Sequence, residues 1–553
     1  MKKLMLMAIL FAGILVFPKT TLAQNGNFQW AIQAGGNGFD KATAICRDAA
    51  GNLILTGYFQ NTATFGSTDL TSAGFRDVFI AKYDANGNFV WAQQAGGFDE
   101  DEGFGIAADG AGNITVTGYF KNTATFGDTS LTSTGSSDIF IVRYDGDGNL
   151  LWARQAGGSN LDQGNGVATD SEGNALVTGY FNLTATFGDT SFTSDGNYDV
   201  FVAKYAANGD FMWAQQAGGS FFDQGNGIAT DGNGNALVTG KFSGNAAFGD
   251  TTIISLQFNT FVAKYDANGN FMWAEKAGGQ PADFGSGISG AADGSSVATG
   301  YFQGIGDFGG IGMTSAGSGD IFIAKYDATG AVGWARQFGG TDLDQGFCIA
   351  RDDAGDTFVS GFFAGTATFG DTAFTSIGKD VFVAKMDTDG NVLWAANGGG
   401  AGIDEGYGIV ADGSGGAIVT GLFQGTATFG SNVLNSNGQD DIFIAKIGGS
   451  VTAIGSPEPQ IRTFELAQNF PNPFNPVTQI RFSVTSSGPV QLTIFNLSGR
   501  KIKSLVNENL QSGSYLRQWD GTNTAGERVA SGVYLYRLQS ENAVQTRKMM
   551  LLK

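Results

Sequence analysis

Between residues 25 and 447, short runs of alternating apolar and polar residues are punctuated by Asn, Asp and Gly clusters, with no apolar stripe at helical spacing. One stretch shows the whole pattern. Gly166-Val167-Ala168-Thr169 is a run of small residues, Ala175–Phe181 and Asp199–Tyr205 are rich in β-branched and aromatic residues, and 211–216 carries Phe211 and Trp213. Asp170-Ser171-Glu172-Gly173-Asn174 and Ala206-Ala207-Asn208-Gly209-Asp210 separate consecutive runs. Such clusters close antiparallel hairpins, because Gly and Asn tolerate positive φ. The pattern predicts a four-stranded antiparallel sheet, with residues 184–193 forming an extra hairpin between its second and third strands.

The pattern recurs. Trp30, Trp91, Trp152, Trp213, Trp273, Trp334 and Trp394 follow one another at intervals of 60 or 61 residues, each opening a segment like Trp-Ala-Gln-Gln-Ala-Gly-Gly. Three features predict that the sheets close into a ring. The first and last units resemble the middle ones, whereas an open array needs atypical ends. The array starts with a fourth-strand segment (25–36) and ends with a third strand (441–447), so the last sheet is completed only by the first segment. Gly and Ala crowd the first strand while Phe, Tyr and Trp occupy the third and fourth, a taper suited to wedges around an axis. The expected fold is all-β: a seven-bladed β-propeller over 24–447 whose N-terminal strand closes the last blade.

The elements Gly-Ile-Ala-x-Asp, Gly-Asn-x-x-Val-Thr-Gly and Phe-Ile-Ala-Lys-Tyr-Asp resemble the SBBP-type bacterial β-propeller repeat over roughly 25–447, lengthened here by a Thr-Ala-Thr-Phe-Gly hairpin. That resemblance implies a fold and no single activity.

Beyond a linker at 448–462 the repeat stops. Alternating runs at Thr478–Val484, 490–497, Gly532–Gln539 and 543–552 predict a small Ig-like sandwich of about seven strands. Asn469-Phe-Pro-Asn-Pro-Phe-Asn-Pro476, Gly499-Arg-Lys-Ile502, Trp519-Asp-Gly521, Ala530-Ser-Gly-Val-Tyr534 and the Lys548-Met-Met-Leu-Leu-Lys553 end are similar to the type IX (Por-type) secretion sorting domain, over 463–553. The resemblance implies the type IX secretion machinery as a partner and passage through the outer membrane, followed by removal of the domain or surface attachment. An ordinary Ig-like binding module is the alternative. At the other end, Lys2 and Lys3, the apolar run 4–17 and Thr21-Leu22-Ala23 read as a signal peptide over 1–23. That run is too short to span a bilayer, so a secreted or outer-surface protein reached through the periplasm is expected, not a membrane-spanning one.

Composition narrows the chemistry. The chain carries a net charge of −20, with the acidic excess in the repeats, which argues against nucleic acid as a partner. It has no His, which removes His-based triads, His-ligated metal sites and imidazole pH sensing. Cys46 and Cys348 stand at non-equivalent positions of distant units and are expected to be free and buried rather than a disulfide. A monomer without a cofactor is expected.

Links between blades and the loops joining second to third strands share one face, the candidate ligand face. Asp40, Asp101, Asp162, Asp223, Asp283, Asp344 and Asp404 recur there just before each innermost strand. They form either a carboxylate ring that would hold a cation, calcium among them, or a basic group, or a set of side chains that bond the linking backbone. Recurrence in every unit favours the second. A further series, Asp77, Asp138, Asp199, Asp320, Asp380 and Asp441 with Asn259 in the fourth unit, opens the third strand. Lys82, Arg143, Lys204, Lys264, Lys325, Lys385 and Lys446 follow on that strand, and the opposite charges predict inter-strand or inter-blade pairs. The turns Asp145-Gly-Asp-Gly-Asn149 and Asp387-Thr-Asp-Gly-Asn391 resemble the start of a calcium loop but lack its distal Glu, and read better as hairpin turns.

A site for one ligand should break the repeat. Asp99-Glu100-Asp101-Glu102, the replacement of the fourth hairpin by 251–258, and Gly304-Ile-Gly-Asp-Phe308 in the fifth unit do so. The leading expectation is a scaffold binding a glycan or protein through the link face. The alternatives are a carbohydrate hydrolase or lyase using paired carboxylates, and a structural protein with no ligand.

Overall fold

The computed structural model describes residues 26–448 and, beyond the linker, 465–466, 468–469, 472–484, 488–510, 513–540 and 543–552. The signal segment 1–23 and nearly all of the linker lie outside the described residues, although Gly448 itself ends a strand. The chain divides into two compact units between Ser450 and Val451.

In the first unit, each repeat is counted from its innermost strand. The third runs Gln163–Thr169, Ala175–Phe181, Asp199–Tyr205 and Phe211–Gly219, all antiparallel. The hairpin Thr184–Phe187/Thr190–Thr193 is present, but it does not join its own sheet. It pairs with the outermost strand of the preceding repeat, Leu150–Gly158, through Gly157↔Thr186 and Gly158↔Ala185. The expected four-stranded blade is therefore six-stranded, in the spatial order Thr190–Thr193, Thr184–Phe187, Leu150–Gly158, Asp138–Tyr144, Ile114–Phe120, Glu102–Ala108, with a borrowed hairpin covering the edge of the outermost strand.

The ring closes in the same way. Phe28–Gly36 pairs with Asp441–Gly448 from Phe28↔Ile447 to Ala34↔Ile442, and then accepts the hairpin strand Thr62–Phe65 of the first repeat. The innermost strands Lys41–Arg47, Glu102–Ala108, Gln163–Thr169, Gln224–Thr230, Asp283–Gly290, Gln345–Arg351 and Glu405–Ala411 each touch the next, and the last touches the first. The wedges between neighbouring sheets hold the core. Ile418, Ile442 and Ile444 of the last sheet pack with Ala34, Leu55, Phe59 and Phe79 across the closure. Each such side chain contributes about 1.5–3 kcal/mol on burial.

The recurring Trp stitches one blade to the next. Trp152 Nε1 donates to Ala207 O at 3.0 Å and Trp213 Nε1 to Ala267 O at 3.1 Å, each a turn in the following repeat. Gly209 (φ +85°) leaves room for this approach, since a Cβ there would lie 2.8 Å from the Trp152 ring.

The second unit has seven strands among the described residues, in a three-stranded and a four-stranded sheet. Fully buried Trp519 packs against Phe474 and Tyr534 at ring distances of 5.5 and 5.2 Å. No helix among the described residues is long and apolar enough to cross a membrane.

Candidate functional site at the mouth of the axial channel

The Asp series before each innermost strand folds into the blade links. Asp162 is wholly buried; its Oδ2 accepts from Gly158 N at 2.7 Å and its Oδ1 from Asn182 N at 3.0 Å. Asp40, Asp101, Asp223, Asp344 and Asp404 repeat both bonds, as does Asp283. Each carboxylate thus ties the end of one sheet to the exit of the second strand in the next. None of the seven lines the axial cavities, and among the described residues no group of three or more acids or Cys is placed to hold a metal ion.

Six of these acids, all but Asp283, face one of the second series across a glycine. A Cβ on Gly157 (φ +140°) would lie 2.8 Å from Asp162 Oδ2 and 3.0 Å from Asp138 Cγ, so the first Gly of the Gly-Gly pair is required twice over. Oδ1 of Asp77, Asp138, Asp199, Asp320, Asp380 and Asp441 is buried without a hydrogen-bond partner. Burial pushes Asp40, Asp101, Asp162, Asp223, Asp344 and Asp404 up to about 7, against the backbone bonds that pull them down. It likewise raises Asp77, Asp199 and Asp380 to about 6. Buried in this way, these carboxyls hold protons at a pH where exposed carboxyls are ionised.

The basic series does not pair with Asp77 and its equivalents. The partners are acids in the turn after the innermost strand: Lys82 with Asp48 at 3.1 Å, Lys204 with Asp170 at 2.9 Å, Lys264 with Asp231 at 2.9 Å, and Arg143 with Asp109. Asp77 and Lys82 stand five residues apart on one strand and so point to opposite faces. The calcium-like turns are hairpin turns: Asp145 Oδ1 accepts from the backbone N–H of Asp147 and Asn149, both at 2.9 Å.

The repeat breaks at the axis. Each innermost strand carries a β-bulge whose extra residue is Thr43, Phe104, Asn165, Asn226, Ser286, Phe347 or Tyr407. A bulge redirects one side chain out of the ladder. Here it turns the third residue after each linking Asp into the channel, where all but Ser286 line a cavity of about 270 Å³. Below them Ile45, Ile106, Val167, Ile228, Ile288, Ile349 and Ile409 form an aliphatic collar, of which all but Ile409 also line a second cavity of about 630 Å³ at the turn face.

Above the bulges, the residue after each linking Asp and its neighbours form the mouth. One arc is charged. Arg76 pairs with Glu102 and Lys379 with Glu405, both at 2.7 Å, and Tyr407 Oη donates to Glu405. Lys41 Nζ stands 3.4 Å above the Tyr407 ring. Burial lowers Lys41 to about 8, while Glu405, Glu102 and Asp440 pull it back up. A second arc is neutral: Tyr180 Oη donates to Gln163 Oε1 at 2.9 Å, and Gln163 Nε2 donates to Asn165 Oδ1 at 2.8 Å. A third is aromatic, with Phe284 stacked on Tyr301 and Phe258 at 5.0 and 5.5 Å and Lys241 Nζ 4.8 Å from the Phe284 ring.

Of the symmetry-breaking segments, the acidic link contributes Glu102 to the mouth, while Glu100 pairs with Lys121 at 2.7 Å. The fourth hairpin is retained, merged into the long strands Ala236–Phe248 and Thr251–Tyr265, and Phe258 reaches the aromatic arc. The fifth keeps a hairpin from Ile305–Phe308. The bulge residues carry a sequence signal, since they vary inside an Asp-x-Gly-x-Gly that five of the seven units keep, the first having Ala42 and Ala44 and the sixth Cys348 in place of Gly.

Residues 151–180 and 213–244 match the β-propeller repeat family, and 476–543 match the FlgD Ig-like domain family. An uncharacterized WD repeat-containing protein of Acanthamoeba polyphaga mimivirus is 25% identical over 513 residues, covering 74% of this chain and 37% of that protein. The regulatory protein FlaEY of Caulobacter vibrioides is 25% identical over 197 residues, covering 34% of this chain and 20% of its own length. The chain thus spans well under half of either relative. Among solved structures, PorZ, a surface component of the type IX secretion system of Porphyromonas gingivalis, aligns with 94% of this chain and 60% of its own, at 14% identity and a TM-score of 0.33. A quinonprotein alcohol dehydrogenase-like protein of Bacteroides thetaiotaomicron aligns with 65% of this chain and 66% of its own, at 12% identity and a TM-score of 0.29. Likenesses this distant transfer no activity. The family matches and the architecture agree on β-propeller repeats followed by an Ig-like domain.

Proposed function

We propose that the protein is a secreted or cell-surface scaffold that binds a glycan at the link-face mouth of its channel, and that residues 463–553 address it to type IX secretion. The observation that carries the binding reading is the bulge set: a blade-invariant frame delivers seven side chains of mixed chemistry to one opening. Rings such as Phe284 and Tyr301 offer faces to the C–H side of a sugar, and the surrounding amides and ion pairs offer donors and acceptors to its hydroxyls. The secretion reading rests on the C-terminal motifs. It is tested by comparing the cell-surface and medium fractions of the full chain with those of a chain ending at 462 in a type IX-competent host. Equal export of both would refute it.

For binding, the mature chain is titrated calorimetrically with an oligosaccharide panel. Phe347→Ala in the mouth should weaken a bound oligosaccharide at least about tenfold, one good ring contact. Asp147→Ala, in an exposed turn on the other face, should leave it unchanged. Equal affinity in both variants would remove the ligand from the mouth, and release of reducing ends during titration would replace binding by hydrolysis.

A further inference from the structure

Two amines at the mouth have no carboxylate partner among the described residues. Arg76, Lys121 and Lys379 are each held by Glu102, Glu100 and Glu405 at 2.7 Å. Lys41 and Lys241 instead rest on rings, Lys41 Nζ 3.4 Å from the Tyr407 centroid and Lys241 Nζ 4.8 and 5.2 Å from Phe284 and Phe258. An aromatic face stabilises an ammonium from one side and leaves N–H groups for another partner. Both side chains are half-buried, and burial lowers the pKa of each.

Both lysines are also departures from the repeat. Other units place Glu, Gln or Phe at the position of Lys41, and Tyr, Phe or Leu at that of Lys241. Neither is needed to build a blade. The carboxylates of the charged arc are already occupied: Glu102 and Glu405 by their ion pairs, and Asp440 Oδ1 by Gln424 Nε2 at 2.7 Å. The net charge of the chain is −20, yet this opening holds two amines outside any ion pair among the described residues.

Resting on the glycan reading above, we propose that the ligand is an acidic oligosaccharide whose carboxylate or sulfate groups are received by Lys41 and Lys241. Charge-assisted hydrogen bonds from an ammonium to an acid group are stronger than those to a hydroxyl, so the acid groups set specificity while the rings and amides hold the sugar frame.

The test uses the mature chain with three probes: an oligogalacturonate, a sulfated oligosaccharide and a neutral oligoglucan. Lys41→Gln and Lys241→Tyr install the residues of sibling units (Gln163, Tyr180), which protects the fold; unchanged melting verifies it. Wild type should prefer an acidic probe, and each variant should lose about tenfold of that preference over the neutral probe. Whichever acidic probe binds more tightly identifies the acid group. Affinity for that probe should also fall as pH rises through about 8, where Lys41 loses its proton. Acidic and neutral probes bound equally, or acidic binding intact in both variants, would overturn this inference and leave the glycan reading standing. Binding of no probe at all would overturn both.

Discussion

The two ends of the axial channel are built from the same strands and differ in what they repeat. At the turn face, six of seven repeats place a Lys or Arg of the third strand against the Asp after the innermost strand. The fifth has Ala291 there, and Lys325 Nζ donates to Thr388 O at 3.1 Å instead. At the link face, beyond the buried Asp frame, the lining changes from unit to unit: Lys41, Glu102, Gln163, Gln224, Phe284, Gln345, Glu405. An ion pair repeated around the ring supports the shape of every blade alike, whereas a ligand meets the opening once. Repetition therefore marks the frame and its interruption marks the site.

The frame should fail first where the ring is joined. Removing Phe28–Gly36 strips the pairing partner from Asp441–Gly448 and leaves the hairpin of the first repeat without an edge to cover. The expected loss exceeds about 5 kcal/mol, beyond the range of single substitutions, and reads out in urea as an early transition. An unchanged midpoint would mean that closure contributes nothing to stability.

Next in size is the buried pair of the second repeat. Arg143 and Asp109 side chains are 2% and 5% exposed, and Arg143 Nη1 also donates to Gly173 O at 2.5 Å. Asp109→Ala strands a buried guanidinium and should cost about 3–5 kcal/mol. At the other end, Glu102→Gln loosens a pair whose Arg76 side chain is 30% exposed, and should cost about 1 kcal/mol or less. Equal losses would abolish the contrast between the two ends.

The paired acids of the links give the frame a pH dependence. Their folded pKa values stand near 6 to 7, above the usual carboxylate range, so the folded state holds protons that the unfolded chain has released above about pH 4. Their support is complete below about pH 4 and is lost as pH rises through about 7. The turn acids Asp84, Asp145, Asp266 and Asp387 are lowered by their Asn partners and backbone bonds, and withdraw support in stronger acid. Melting temperature should therefore rise by a few degrees from pH 8 to pH 5 and fall below about pH 4. A monotonic rise up to pH 8 would show that the link carboxyls are ionised in the folded state at neutral pH.

Much of the frame was legible in the sequence because its determinants are local. The Asn/Asp-Gly turns set strand limits such as Ala175–Phe181 and Asp199–Tyr205, and the missing fourth strand of the last repeat pointed to Phe28–Gly36 as its replacement. What was not legible depends on partners distant in sequence. The hairpin Thr184–Phe187/Thr190–Thr193 was foreseen, but nothing in its residues says that its edge belongs to Leu150–Gly158 of the neighbouring sheet. Asp77 drew attention as a partner for Lys82, whereas the partner is Asp48 on the turn that closes beside it. At the site, constancy drew the eye to Asp162 and its equivalents. The bulge that turns Asn165 to the axis is a register shift between Gly164 and Gly166 that composition does not announce.

The smallest expected effect sharpens the comparison most. Asn226 Nδ2 donates to Gly285 O of the next blade at 2.7 Å, so this bulge residue is bonded to the frame as well as facing the channel. The equivalent residue of the next repeat is Ser286, which shows that the backbone accepts a shorter side chain there. Asn226→Ser removes one neutral hydrogen bond at a position within reach of water, so its cost belongs at about 0.5 kcal/mol, the low end for such bonds. Oligosaccharide affinity should shift by a larger factor than stability, because the lost amide leaves a sugar hydroxyl without its partner. Chemical denaturation and calorimetric titration of the same variant separate the two. A stability loss rivalling that of Asp109→Ala, with affinity untouched, would make the bulge residues part of the frame and return the mouth to the status of a structural opening.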